Sequence, residues 1–157
     1  MTKATTSPLQ RALFRAPLLV YRLGLGALLG SRFVLLTHVG RRSGLPRQTV
    51  LEVVGREDGS YLVASGYGGR AQWFRNITAQ PRVRFQVGRH RFEGRAEPLP
   101  PAESGHKLAT YARQHPRTAA ALMRMIGHDV DGSAAEYERL GADREQGVPI
   151  VALHPEP

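Results

Sequence analysis

Two tight glycine turns constrain this chain more than any other feature. Asp58-Gly59 lies between "QTVLEVVG" (48–55) and "SYLVAS" (60–65), and Gly88-Arg89 lies between "RVRFQV" (82–87) and "HRFEGRAEPL" (90–99). Asp-Gly and glycine-first pairs are what two-residue hairpins demand, because their positive φ angles match the twist of the strands they join. The flanking runs alternate, with Val83, Phe85 and Val87 on one face. "RFVLLTHV" (32–39) and "VPIVALHP" (148–155) read as two further strands, and Pro149 places the last at an edge or at its own start. Six short strands joined by hairpins, not by strand–helix alternation, predict an antiparallel barrel over a parallel nucleotide-binding sheet.

Helical patterns complete the outline. A short helix is expected over roughly residues 70–79, inside the β region. Further helices follow Pro101, with Leu108, Tyr111 and Ala112 on one face, Pro116 in a first turn and Gly127 as a stop. Ser133 and Glu136 form a capping box for a helix ending near Gly141.

The charge balance narrows the partners. Lys and Arg total 22 against 13 Asp and Glu, a net +9, and Lys3 and Lys107 are the only lysines. Arginine forks bind phosphates and carboxylates through paired hydrogen bonds, so an anionic partner is expected: a phosphorylated cofactor, anionic lipid or nucleic acid. Nucleic acid is the weakest of these, since no recognition helix or RNA-binding sheet signature is present and aromatics are only 7%. With no cysteine, disulfides, thiolate nucleophiles and thiolate metal sites are excluded, and a reducing, cytoplasmic setting fits.

Residues 1–30 form an N-terminal apolar segment, and residues 31–157 the barrel domain. "ALFRAPLLVYRLGLGALLG" (12–30) is interrupted by Arg15 and Arg22, so its charge-free runs fall short of the roughly 20 residues that a membrane span needs. A helix packed on its own domain, or one lying on the inner membrane surface, is expected instead. "GLGALLG" (24–30) is not a dinucleotide fingerprint: its last glycine comes one residue late and a helical pattern precedes it. The six histidines show no three- or four-residue pairing, so no metal site is expected.

Two segments hold candidate chemistry. "THVGRRSGLPRQTVLEV" (37–53) ends a strand, turns on glycines, and sets Arg41, Arg42, Arg47 and Ser43 around one loop. That is the donor set of a phosphate site, and equally that of a solvated basic hairpin. "VASGYGGRAQWFRNITAQP" (63–81) is a strand, a glycine-rich loop and a short helix whose start suits an anion or a flat ring. Trp73 and Phe74 would wall such a site or anchor the helix in the core.

At these residues the chain resembles the deazaflavin-dependent nitroreductase and quinone reductase family, split β-barrel proteins that use coenzyme F420. The resemblance rests on T-x-x-G-R-(K/R)-S-G-x-x-R, then V-A-S-x-x-G-G, then W-(F/Y)-x-N-(I/L)-x-A-x-P, and a closing (V/I)-P-I-V, over about residues 30–155. It implies an α+β, mainly β fold: a six-stranded antiparallel split β-barrel with N- and C-terminal helices. It implies coenzyme F420 as cofactor, with FMN the alternative, and hydride transfer to a quinone, nitroaromatic or other electron-poor acceptor. A flavin-, F420- or haem-binding barrel without activity is the other reading, and the protein is expected as a monomer or homodimer.

By the same resemblance, Gly40, Arg41, Arg42, Ser43, Gly44 and Arg47 would bind the cofactor's phosphate and oligoglutamate tail. Gln48 and Thr49 would line its ring, with Ala64, Ser65, Gly66 and Tyr67 along the other edge. Trp73, Arg75 and Asn76 would close the site. Reductases of the family carry several tyrosines before the last strand; here Tyr137 alone stands there, and it is the expected catalytic residue on the substrate side.

Overall fold

The computed structural model describes residues 30–157. The N-terminal segment of the preceding section, with its leucines and Arg15 and Arg22, lies outside the described residues. Among those described, no helix is long and apolar enough to cross a membrane.

Six antiparallel strands close a barrel: β1 (Phe33–Val39), β2 (Pro46–Glu57), β3 (Ser60–Ala64), β4 (Arg82–Val87), β5 (His90–Pro98) and β6 (Ile150–Pro155). Their order around the barrel is β1-β2-β3-β6-β5-β4, with β4 returning to β1. Both glycine turns form as their residues require. Asp58 and Gly59 sit at φ 50° and 82° between the paired Glu57 and Ser60, and Gly88 at φ 58° between Val87 and His90. Strand β6 starts one residue after Pro149 and, far from being an edge, pairs with both β3 and β5.

The alternation of β1 buries Val34, Leu36 and His38 inside the barrel. Val63, Phe85, Val151 and Leu153 join them, and one end is plugged by Trp73, Phe74 and Ile77 from helix α1 (Gln72–Ala79). A bulge at Val54 shifts the register of β2 against β3 between Val53 and Gly55. Val54 then packs outward on a second cluster, beneath helices laid on the barrel's outer face. These are α2 (Pro101–Gln114), α3 (Pro116–Met125) and α4 (Ala134–Ala142).

Three local devices hold this outer layer. Pro101 and Pro116 open α2 and α3, where no amide is needed, and Gly127 at φ 93° ends α3. Ser133 caps α4, its Oγ accepting from the Glu136 amide at 3.2 Å. The reciprocal half of the expected capping box is absent: Glu136 accepts from the Asp131 amide, and Asp131 accepts from the Ser133 amide at 2.7 Å. Ser104, fully buried in α2, donates its hydroxyl to the Gly141 carbonyl and accepts from the Ile150 amide at 2.8 Å. One side chain thus ties α2, α4 and β6 together.

Candidate active site

The loop between β1 and β2 is a closed turn built by its own backbone. The Gly40 amide donates to the Leu45 carbonyl and the Gly44 amide to the Gly40 carbonyl, both at 2.8 Å. Gly44 takes the left-handed conformation, φ 71°, that the reversal needs. Ser43 Oγ accepts from the Leu45 amide at 3.2 Å. The turn lifts Arg41, Arg42 and Arg47 to the rim of a cavity of about 600 Å3 that also meets His38, Ala71, Gln72, Trp73 and Asn76.

The three arginines are not equivalent. Arg41 is clamped to α1, its amide and its guanidinium both donating to Asn76 Oδ1, at 3.1 and 2.9 Å, with a third bond to Gln72 Oε1 at 3.0 Å. The Arg42 and Arg47 guanidinium groups have no hydrogen-bond or ion-pair partner among the described residues. Among the described residues, no carboxylate lines the cavity. Two uncompensated guanidinium forks facing a common space offer donors of the kind that an anion takes.

Asn76 completes a buried relay. Its amide nitrogen lies 3.1 Å from His38 Nδ1, which makes that ring nitrogen an acceptor and leaves the proton on Nε2. Burial first, and the Arg47 charge second, lower the His38 pKa from 6.5 to about 4. A neutral imidazole therefore sits at the floor of the arginine-lined cavity through the physiological range.

The sign of the pH effect follows. Below 6.5 the unfolded chain takes a proton that folded His38 refuses until about pH 4, so stability is lost as pH falls through this window. The loss is expected to be on the order of 3 kcal/mol when complete. Urea unfolding at pH 7 and pH 4.5 checks this: His38→Gln should show a clearly smaller drop than the wild type, and an equal drop refutes the assignment.

A second cavity, about 480 Å3, adjoins the first through Gln48, Thr49, Tyr67, Ala71 and Trp73, which line both. It lies between the outer face of β2 and helices α2 and α3, and its walls are largely apolar: Val50, Val54, Leu108, Leu122, Met123, Met125, Ile126 and Val148. A polar, cationic chamber thus opens into a greasy, flat-ring-sized one.

The structure brings most of the expected cofactor residues together. Gly40, Arg41, Arg42, Ser43, Arg47, Gln48, Thr49, Tyr67, Trp73 and Asn76 line the first cavity, and Ala64 and Gly66 the second. Gly44 shapes the turn from outside both. Ser65 is fully buried and donates to the Gly68 carbonyl at 2.8 Å, a bond that forms the turn before α1. Arg75 points away, its Nε donating to the Gly69 carbonyl at 3.0 Å.

Tyr137 is placed elsewhere than expected. It is 2% exposed in the cluster under α2 and α4, reaches neither cavity, and its hydroxyl has no partner. Burial, and then Glu136, raise its pKa. The helix carrying it packs closely on α2 at Gly105 and Gly141. Tyr111 and Glu52 occupy the cleft wall instead.

Fold and site together define a six-stranded split-barrel protein with an arginine-lined cavity beside an apolar one. Comparison with known proteins agrees. The sequence profile of the F420H(2)-dependent quinone reductase family matches residues 21–125. The F420H(2)-dependent quinone reductase of Mycobacterium tuberculosis strain H37Rv is 26% identical over 123 residues, 76% of this chain and 71% of the relative. Among solved structures, an F420-H2 dependent reductase (FDR-A) superposes with a TM-score of 0.52 at 24% identity, over 78% of this chain and 94% of that one. A conserved hypothetical protein of M. tuberculosis superposes at 0.54 and 16% identity, over 100% of this chain and 87% of its own; these likenesses carry the fold. The chain belongs to the F420H(2)-dependent quinone reductase family, and coenzyme F420 is its cofactor.

Proposed function

We propose that the protein is an F420H2-dependent reductase that passes a hydride to a quinone, with nitroaromatic and similar electron-poor rings as further acceptors. One observation carries the reading: an arginine cavity without a carboxylate opens directly into an apolar cavity through a shared wall. The residues fit the coenzyme. Arg42, Arg47 and the rim of the turn would hold its phosphate and acidic tail, and Gln48, Thr49, Tyr67 and Trp73 would hold its ring.

The bound coenzyme supplies the hydride; the chain binds, orients and keeps water out. Trp73 and the apolar helices exclude solvent from the junction where donor and acceptor would meet. Arg41, locked on Asn76 and Gln72, keeps the anion loop in register with α1 and so fixes the depth of the ring. The leucine-rich residues before the barrel suit a membrane-surface approach for an apolar quinone.

Trp73 is the only tryptophan and lines both cavities, so its fluorescence reports on either. Titration with oxidised F420, FMN and NADPH should show one-to-one quenching at micromolar or lower F420, weaker quenching by FMN and none by NADPH. With F420H2 as the two-electron donor, the protein should then reduce menadione to its hydroquinone, releasing oxidised F420. Tight FMN binding without F420 binding would falsify the reading.

A further inference from the structure

Among the described residues, the apolar cavity has a single charged wall residue. Glu52 points outward from β2 with its side chain 15% exposed, and its Oε1 accepts the Tyr111 hydroxyl at 3.0 Å. Tyr111, on α2, is 6% exposed. Leu108, Leu122 and Met123 stand around the pair. Arg32 Nε approaches the same Glu52 oxygen at 3.7 Å, but its side chain is 64% exposed and its charge spreads into water. The carboxylate is therefore the charge that the cavity presents to an occupant. Burial, then Glu52, push the Tyr111 phenol well above its ordinary pKa, so it remains a hydrogen-bond donor at every physiological pH.

A carboxylate in an apolar wall is costly, and a leucine or methionine would join β2 to α2 as well. Two chemical properties set it apart from such a residue. An ionised carboxylate only accepts hydrogen bonds, and it repels anions strongly where water is scarce. The phenol's one proton is committed to Glu52, so the Tyr111 hydroxyl holds the carboxylate at the cavity wall.

We propose that Glu52, held in place by Tyr111, fixes the class of acceptor: uncharged planar molecules enter the apolar cavity, and anionic ones are turned away by the carboxylate. This rests on the reading that the apolar cavity holds the acceptor. Tyr111 and Glu52 are then specificity determinants, separate from the arginines that hold the coenzyme.

The test uses calorimetric titration of protein saturated with oxidised F420, which keeps the arginine cavity filled, with menadione and a sulfonated naphthoquinone as probes. Wild type should favour menadione by about tenfold or more. Glu52→Gln keeps an acceptor oxygen for Tyr111 and the side-chain volume, and should narrow that preference about tenfold by admitting the sulfonate. Tyr111→Phe removes the bond that holds Glu52, and should narrow the preference less than Glu52→Gln does while leaving menadione within about threefold of wild type. The preference is a ratio on one sample, so partial unfolding cancels from it. An unchanged ratio in Glu52→Gln, or loss of both quinones together, shows the pair to be a structural tie and overturns the proposal. If wild type binds F420 but no menadione, the acceptor reading itself has failed, a different outcome from an unchanged ratio.

Discussion

Replacing Arg47 by alanine should raise the Kd for coenzyme F420 by more than tenfold, about 1.5–3 kcal/mol for a lost hydrogen bond to a charged group. The melting temperature should stay within a degree or two, because the guanidinium has no partner among the described residues to abandon. Arg41→Ala should behave differently. Its three hydrogen bonds to α1 hold the loop against the barrel, so binding and melting temperature should fall together. Fluorescence titration and thermal melts on the two variants separate a contact from a clamp. Unchanged F420 affinity with a collapsed melting temperature for Arg47→Ala would make the loop a structural element and not a phosphate site.

The largest loss of stability is expected at the crossing of α2 and α4. Gly105 faces the Glu138 backbone carbonyl so closely that a methyl group would overlap it, and a Cβ on Gly141 would lie 2.7 Å from Gly105 Cα and 2.8 Å from the Ser104 carbonyl. The nearest obstructing atoms at both positions are backbone, and neither helix can step back without breaking the bonds of Ser104 to Gly141 and Ile150. Gly105→Ala should cost about 3 kcal/mol or more, at the upper end for overpacking. For a chain of this size that lowers Tm by about 10 °C. A calorimetric melt within two degrees of wild type would show that the helices part freely.

The barrel was legible because its information is local. Asp58-Gly59 and Gly88-Arg89 declare their turns, and the alternation in β1 and β4 declares which face is buried. The turn that carries the arginines was legible for the same reason, as its glycines, Ser43 and arginines lie within eight positions. The second cavity was not, since it is assembled from β2, α2 and α3, elements that meet only in three dimensions. Its register depends on the bulge at Val54, which leaves no mark that a sequence pattern can read. Where Tyr137 lies was not legible either: it precedes the last strand in sequence, and only the packing of α4 on α2 shows it buried in the outer cluster. His38 was missed because a histidine on the buried face of a strand reads as core, and only its bond to Asn76 shows what it supports.

The closed strand order also dictates a sequence of events in time. Val39 and Pro46, which flank the arginine loop, pair across a short connection, whereas Ala64 must wait for Ile150 before β3 gains its second neighbour. Closing a long loop costs more entropy than closing a short one, and non-local pairing slows folding. The hairpin bearing the arginines therefore organises early, while the chain is otherwise open. The slot between β3 and β5 fills last, when β6 arrives and brings Pro149 and Val148 against the helices. The half of the site that grips charge is built first, and the half that admits an apolar ring comes into being only as the barrel closes.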